Sequence, residues 1–283
     1  MRTRRIGETE VSAIGLGGMP LSVDGRPDEQ RAVATIHAAL DAGITLIDTA
    51  DAYSLSDKDF GHNEELIAGA LKSYGAGDEI LVATKGGHTR LADGGWGLNG
   101  TAEYIKQACE ASLRRLGVEA IGLYQFHRPD PRTPIEESVE AVRDLLDAGK
   151  IRYAGVSNFN PAQIRTANEI LGGRLAAVQN QFSPVFRSSE PELELCAELG
   201  IAFLPWSPLG GIGKAGRLGG GVFDEVGAAH GVSPQRACLA WMLAKADVVI
   251  PIPGSSRPES IRDSAAAAEL VLSPDEVKKL DTA

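Results

Sequence analysis

The sequence has little of what a membrane-bound or exported protein needs. Nowhere in its 283 residues is there an apolar run of about 18 residues, the length that a membrane-spanning helix requires. The basic start at Met1 is followed at once by polar residues, and the apolar core of a signal peptide is missing. We therefore expect a cytoplasmic protein with no membrane partner.

Cysteine and positive charge are also scarce. Cys109, Cys196 and Cys238 are widely separated in helical-looking segments, which favours buried free thiols in a reducing compartment over disulfides. No cluster of His, Cys, Asp or Glu has the spacing of a metal site, so we predict that no metal takes part. A net charge of −10 argues against nucleic-acid partners, although it does not forbid a small anionic ligand.

Short apolar runs alternate with helical patterns along almost the whole chain. Eight strands that alternate with helices predict a parallel sheet closed on itself, and 283 residues suit a barrel of about 250. We therefore predict an α/β fold, a (β/α)8 TIM barrel that forms one domain over residues 1–283. The candidate strands are 13–16, 45–48, 80–85, 121–127, 153–157, 177–181, 202–204 and 248–251, and the candidate helices are 28–42, 63–73, 101–116, 134–148, 161–171, 190–199 and 233–246.

The first residues follow a different pattern. Residues 3–6 and 11–13 flank a polar turn at 7–10, which predicts a β-hairpin. We expect this hairpin to plug the bottom of the barrel. Three segments, the loops 86–100 and 209–221 and the helical tail after Pro253, are longer than a strand–helix connection needs, and extra length at strand carboxyl ends usually serves binding.

Ionisable residues stand where three of the apolar runs end. Asp48, Lys85 and His127 each close a strand, and Tyr53 follows Asp48 in one loop. In a parallel barrel these side chains converge at the carboxyl-terminal face, where such barrels carry active sites. A buried lysine needs a carboxylate partner or a catalytic role, and Asp48 is the natural partner. Taken alone, Asp48 could equally cap a turn, with Tyr53 a half-buried loop aromatic.

Two segments carry patterns typical of nucleotide binding. The glycines of 211–216 match the dinucleotide fingerprint, but the strand–turn–helix context of that motif is absent. At 250–259, backbone amides, two hydroxyls and Arg257 cluster where a helix begins, which is typical of a phosphate site. A capped helix start with a solvated arginine is the alternative for this second segment.

The order and spacing of these motifs resemble those of the aldo-keto reductases over essentially the whole chain. The resemblance rests on residues 15–18, 48–53, 84–85, 127–130, 155–159, 178–180, 206–210 and 252–257. It implies a barrel that binds NADPH without a Rossmann domain and reduces aldehydes or ketones, with Tyr53 as proton donor. Asp48 and Lys85 would tune Tyr53, and His127 would orient the substrate carbonyl.

The resemblance also implies a set of cofactor contacts. Trp206 stands where the family often has a tyrosine stacked on the nicotinamide, and Ser264 replaces a common asparagine, which weakens the expected recognition of adenine. Ser255, Ser256 and Arg257 would take the 2′-phosphate of NADPH. The complete set of expected contacts is Gly18, Ser157, Asn158, Gln179, Trp206, Ser207, Pro208, Leu209, Gly210, Ile252, Gly254, Ser255, Ser256, Arg257, Ser260, Asp263 and Ser264.

Two other functions are compatible with parts of this pattern. The chain would serve as a cofactor-binding sensor or auxiliary subunit if it kept the fold and lost turnover. It would be a lyase if Lys85 formed a Schiff base, which pairing with Asp48 disfavours. The sequence names neither the physiological carbonyl substrate nor an oligomeric state.

Overall fold

A computed structural model describes residues 1–282 as a curved parallel sheet surrounded by helices. Seven strands form the sheet, and their order in space follows their order along the chain. Every neighbouring pair in this sheet is parallel. The strands are Leu16–Gly17, Leu46–Asp48, Leu81–Gly86, Ile121–Phe126, Ile151–Ser157, Leu175–Gln179 and Ala202–Phe203.

Helices follow most of the strands, as the alternation predicts. The helix Ala102–Leu116 illustrates why they form: the Thr101 hydroxyl accepts the N–H of Tyr104 at its start, and Gly117 ends it in the left-handed region at φ 69°. The helix Val222–Ala229 lies outside the predicted set, while Pro258–Ala265 and Pro274–Asp281 lie in the tail after Pro253 that was expected to be helical. The α-helices are Glu29–Asp41, His62–Tyr74, Ala102–Leu116, Ile135–Asp147, Pro161–Ile170, Glu190–Leu199, Val222–Ala229, Pro234–Leu243, Pro258–Ala265 and Pro274–Asp281.

The segment 248–254 lies between the two edge strands of the sheet. Phe203 exchanges two backbone hydrogen bonds with it, at 2.8 and 2.9 Å, and Gly17 donates its N–H to the Pro253 carbonyl at 3.0 Å. The predicted regular strand at 248–251 is wrong, since only isolated bridges form there. Pro251 and Pro253 have no N–H to donate and therefore interrupt a regular ladder.

Two antiparallel pairs flank the main sheet. Thr3–Ile6 pairs with Thr9–Ser12, and the buried Ile6 packs in one cluster with inward-facing residues of the main strands. His88–Arg90 pairs with Trp96–Leu98, inside the long loop 86–100, where the sequence predicted no regular structure. The second hairpin therefore builds structure at the carboxyl ends of the strands.

The largest part of the hydrophobic core lies between the sheet and the helices that pack on it. Its largest cluster joins strand residues such as Tyr124 and Phe126 to Trp241, which stacks on Phe182 with ring centroids 5.7 Å apart. All three cysteines are buried and free, as predicted. Within residues 1–282 no helix is long and apolar enough to cross a membrane, and no cluster of three or more His, Cys, Asp or Glu is placed to hold a metal ion.

Candidate active site

A cavity of about 440 Å³ opens at the carboxyl ends of the strands. The floor of the cavity is set by the pairing of adjacent strands, which places Asp48 beside Ala83 and Lys85 beside Gln125. Fourteen of the predicted site residues line this cavity, namely Asp48, Tyr53, His127, Ser157, Asn158, Gln179, Trp206, Ser207, Pro208, Leu209, Ile252, Gly254, Ser255 and Ser256.

Lys85 lies under the cavity floor and is completely buried. Its ammonium donates to Asp48 Oδ2 at 2.7 Å, to the Thr49 carbonyl at 2.8 Å and to the Tyr53 hydroxyl at 3.1 Å. These three partners use all three of its N–H donors. Burial lowers the pKa of Lys85, but Asp48 and Tyr53 outweigh burial and hold that pKa above its usual value.

The Tyr53 hydroxyl is oriented so that it can donate its own proton. Because Lys85 donates to this oxygen, the phenol accepts on that side and keeps its own O–H for another partner. Burial raises the pKa of Tyr53, and the charge of Lys85 acts against burial. The tyrosine is therefore protonated at neutral pH, beside a cation that would stabilise the phenolate left after proton transfer.

His127 lines the same cavity as a neutral imidazole. Burial lowers its pKa well below the usual range, and the nearby His88 and Lys85 add to this effect. Its ring stands edge-on to Tyr53 at 5.7 Å between centroids and to His88 at 4.4 Å. Its Nδ1 atom is buried without a protein partner in residues 1–282. His127 is thus an uncharged hydrogen-bonding group beside the tyrosine hydroxyl.

Ser157, Asn158 and Gln179 form one connected polar wall. The Ser157 hydroxyl donates to the Gln179 carbonyl at 2.8 Å, and the Asn158 amide donates to Ser157 at 2.9 Å and to the His127 carbonyl at 3.0 Å. Gln179 donates to Asp48 Oδ1 at 2.8 Å. Asn158 adopts the left-handed region at φ 62°, which is uncommon outside glycine. This wall is therefore rigid and tied to the Asp48–Lys85 pair.

Trp206 and the loop after it form the adjoining wall, where Trp206 donates its backbone N–H to the Asn180 carbonyl at 3.0 Å. Ser207 lies in the left-handed region at φ 52°, and so do Gly210, Gly211 and Gly213. The glycine-rich segment that mimics the dinucleotide fingerprint lies here, in a loop rather than between a strand and a helix. Its Gly211 and Gly213 line the cavity. The fingerprint is therefore not a Rossmann turn, although it does contribute to the site.

The structure leaves seven predicted site residues out of the cavity lining. Lys85 acts from beneath the floor, and Gly18 packs against Asp48, whose carbonyl accepts its N–H at 2.7 Å. Asp263 pairs with Arg236 at 2.6 Å instead of facing the cavity. The residues outside the lining are Lys85, Gly18, Gly210, Arg257, Ser260, Asp263 and Ser264.

The fold brings three further side chains into the cavity: His88 and Arg128, to which sequence reasoning assigned no role, and Trp96, for which an aromatic-lined pocket and loop packing were both open. His88 and Trp96 come from the hairpin in the loop 86–100, with ring centroids 5.4 Å apart. Arg128 follows His127 and lines the cavity beside Asn158. The length of the loop 86–100 was the signal for His88 and Trp96, and the position of Arg128 directly after His127 was the signal for Arg128.

A second buried group of ionisable residues lies behind the floor. Glu64 accepts from Thr84 at 2.5 Å and from Arg115 at 2.6 Å. Asp51 is completely buried, and neither carboxylate oxygen has a hydrogen-bond partner in residues 1–282. Burial, and next the charge of Glu64, raise the pKa of Asp51 well above its usual value. Asp51 is therefore harder to ionise than an ordinary aspartate.

Comparison with known proteins identifies the family of this chain. Residues 13–283 match the model of the aldo/keto reductase family. An uncharacterized oxidoreductase of Schizosaccharomyces pombe (strain 972 / ATCC 24843) is 33% identical over 285 residues, which cover 99% of this chain and 89% of that protein. The chain belongs to the aldo/keto reductase family and is an oxidoreductase.

Solved structures agree with this assignment. The glycerol dehydrogenase from Gluconobacter oxydans superposes with a TM-score of 0.83 at 30% identity, covering 99% of this chain and 94% of that one. An aldo/keto reductase from Klebsiella pneumoniae, solved with NADP and acetate, superposes with a TM-score of 0.81 at 30% identity and the same coverage. The family resemblance seen in the sequence is thereby confirmed.

Proposed function

We propose that this protein reduces aldehydes or ketones to alcohols with NADPH, and that Tyr53 is the proton donor. The observation that carries the proposal is the three-way donation of Lys85 to Asp48, Thr49 and Tyr53 at the cavity floor. It presents a protonated phenol whose conjugate base would be stabilised by a cation. The Klebsiella relative, solved with NADP, supports a nicotinamide cofactor.

The lining fits a nicotinamide cofactor. Trp206 offers a flat face, and its indole Nε1 is buried without a protein partner in residues 1–282. Ser157, Asn158 and Gln179 would hold the carboxamide, and the left-handed Ser207 with the glycines after it would cradle the pyrophosphate. A bound nicotinamide would supply the hydride.

Protein side chains would stabilise the charge that develops on the substrate and would supply the proton. Tyr53 and His127 would donate hydrogen bonds to the carbonyl oxygen, where negative charge grows as the carbon is reduced. Tyr53 would then transfer its proton to that oxygen. Lys85, fixed by Asp48, would stabilise the phenolate until solvent returns the proton. Each step uses a group that the fold already places in or under the cavity.

The proposal extends to the finer features of the fold. The segment 248–254 would close the seven-stranded sheet into a (β/α)8 barrel, supported by its hydrogen bonds to both edges. The hairpin of residues 3–12 would cover the amino-terminal end of that barrel, supported by Ile6 and Val11 in the inner cluster. The whole chain would be one domain that acts in the cytoplasm.

Oxidation of NADPH by a panel of simple aldehydes tests the activity. Wild-type protein should consume NADPH with at least some aldehydes, and borohydride should trap no adduct on Lys85. Binding of NADPH with no turnover on any carbonyl would favour the auxiliary-subunit alternative. Trapping at Lys85 would favour the lyase.

The preference for NADPH rests on Arg257 beside Ser255 and Ser256. Arg257 is exposed, with only a weak contact to Glu259 at 3.7 Å, so its guanidinium is available for a 2′-phosphate. Loss of one charge-assisted contact weakens binding by about ten- to a hundredfold. Arg257→Ala should therefore raise the Kd of NADPH by that factor and leave that of NADH nearly unchanged, measured by fluorescence titration. An equal loss for both cofactors would show that Arg257 is only structural.

A further inference from the structure

We infer that the carbonyl substrate carries an anionic group, a carboxylate, phosphate or sulfonate, and that Arg128 binds it. The inference rests on the proposed carbonyl reduction and names the class of substrate that this cavity accepts. Two charged side chains of residues 1–282 line the cavity, Asp48 and Arg128. They differ in whether their charge is already balanced.

The charge of Asp48 is satisfied within the protein. One carboxylate oxygen accepts from Lys85 at 2.7 Å and the other from Gln179 at 2.8 Å. A carboxylate held in this way has little left to offer a ligand. The floor of the cavity is therefore close to neutral, in spite of the two ions beneath it.

Arg128 has no such balance. Its guanidinium is half-buried and donates to Asn158 Oδ1 at 3.1 Å. Among the described residues, no carboxylate comes within 4.0 Å of it. Its neighbour in sequence, Arg132, pairs with Asp130 at 2.9 Å instead. A guanidinium removed from water normally has a carboxylate or a ligand as its partner.

Arg128 also lies on the side of the cavity where the carbonyl would be reduced. It contacts Asn158, and its charge contributes to lowering the pKa of both His127 and His88. Burial lowers the pKa of His88 to about 4, so that ring is neutral at neutral pH. His88 therefore does not share the positive charge.

The walls beside Arg128 suit an organic chain that carries the anion. Trp96 packs edge-on to His88, and Arg90 stacks on the Trp96 ring at 4.0 Å. The His88 Nδ1 atom lies 3.1 Å from the Gly97 carbonyl, so Nδ1 carries the proton and Nε2 can accept from a substrate hydroxyl. The planar fork of an arginine matches the paired oxygens of carboxylate, phosphate and sulfonate.

Matched pairs of aldehydes, assayed with the full-length protein and NADPH, test the inference. The pairs are 4-formylbenzoate with its methyl ester, glyceraldehyde 3-phosphate with glyceraldehyde, and 4-formylbenzenesulfonate with benzaldehyde. Wild-type kcat/KM should favour the anionic member of at least one pair by about tenfold or more. The favoured pair identifies which anion the site accepts.

Variants at Arg128 then separate binding of the anion from other roles. Arg128→Met should raise KM for the favoured anionic aldehyde by about 10- to 100-fold, with kcat/KM for its neutral partner changed by no more than about threefold. Arg128→Lys should keep part of the preference because the charge remains. Arg132→Gln, on the same loop but already paired with Asp130, is the control and should leave the ratio unchanged.

Three outcomes would overturn the inference. The first is a wild-type protein that reduces neutral aldehydes well and favours no anionic partner. The second is an equal loss of activity on both members of a pair in Arg128→Met, which would assign Arg128 to the carbonyl or to Asn158. The third is a loss of NADPH binding by the same factor in a fluorescence titration of Arg128→Met, which would assign Arg128 to the cofactor. Failure of every aldehyde to oxidise NADPH would instead overturn the proposed function, and this inference with it.

Discussion

Asp48 ends a strand and Asp51 lies three residues further on in the loop that follows, yet the surroundings of the two carboxylates differ. Asp48 accepts from Lys85 and Gln179. Asp51 is just as buried, but neither of its carboxylate oxygens has a hydrogen-bond partner in the described chain. The nearby cation, Arg115, forms an ion pair with Glu64 instead. The first carboxylate is compensated and faces the cavity, whereas the second lies behind the floor without such partners, and its pKa is raised well above the usual value.

The difference shows that burial alone does not define a functional carboxylate. A buried carboxylate acts as a fixed charge only when a cation and donors meet it, and otherwise it neutralises. Asp48 meets both because it ends a strand beside the strand that carries Lys85. Asp51 is displaced onto the helix side of the same loop, where carboxylates outnumber cations.

The largest expected effect comes from removing the charge of Asp48. Asp48→Asn leaves the buried Lys85 ammonium without its anion, and breaking a buried pair costs about 3–5 kcal/mol. The free energy of unfolding in urea should fall by roughly this amount, and turnover should fall by about tenfold or more because Tyr53 loses its support. An unchanged free energy of unfolding would show that Lys85 has an alternative partner.

The next effect concerns the shared proton transfer. Tyr53→Phe removes one hydroxyl, should preserve NADPH binding and should lower turnover by at least ~10²-fold. Lys85→Met should also cripple turnover, and the double variant should lose less than the sum of the two logarithmic losses, since both act on one step. Strict additivity would separate Lys85 from Tyr53, and near-normal turnover in Tyr53→Phe would end the assignment of the proton donor.

The last effect, of opposite sign to the others, is expected at Asp51. A carboxyl whose pKa is raised in the folded state contributes stability at low pH, and this contribution is lost as the pH rises from about 4 through the raised value. Asparagine does not ionise, so Asp51→Asn should match wild type near pH 4. At pH 8 it should be more stable than wild type, by about 1.4 kcal/mol for each unit by which folding raises the pKa of Asp51.

Thermal unfolding between pH 4 and pH 8 measures this difference. Asp57→Asn, an exposed aspartate of the same loop, controls for the loss of a carboxylate. A stabilisation by Asp51→Asn that does not grow with pH would mean that Asp51 is ionised in the folded protein.

The sequence predicted the positions of most strands and helices because their signals are local. Apolar runs, cap residues such as Thr101 and terminal glycines such as Gly117 act within a few residues of the structure they set. The prediction of a strand at 248–251 was wrong because it relied on the apolar run and gave too little weight to the two prolines, which cannot donate a backbone hydrogen bond. The hairpin from His88 to Leu98 was missed although Asp93-Gly94 is a turn signal, because its two strands of three residues are too short to show apolar alternation.

Local sequence patterns predict which residue types stand at the carboxyl ends of the strands, and hence that Asp48, Lys85 and His127 lie at the same end of the sheet. The hydrogen bonds between these side chains depend on the tertiary structure. Lys85 donates to Asp48, Thr49 and Tyr53. In the described chain, the Asp51 carboxylate accepts no hydrogen bond and Arg128 contacts no carboxylate. The direction in which a strand side chain points follows from the alternation of successive residues, which is a local property of the sequence. Which partner it meets depends on loops and strands far apart in the chain, whose packing no local pattern records.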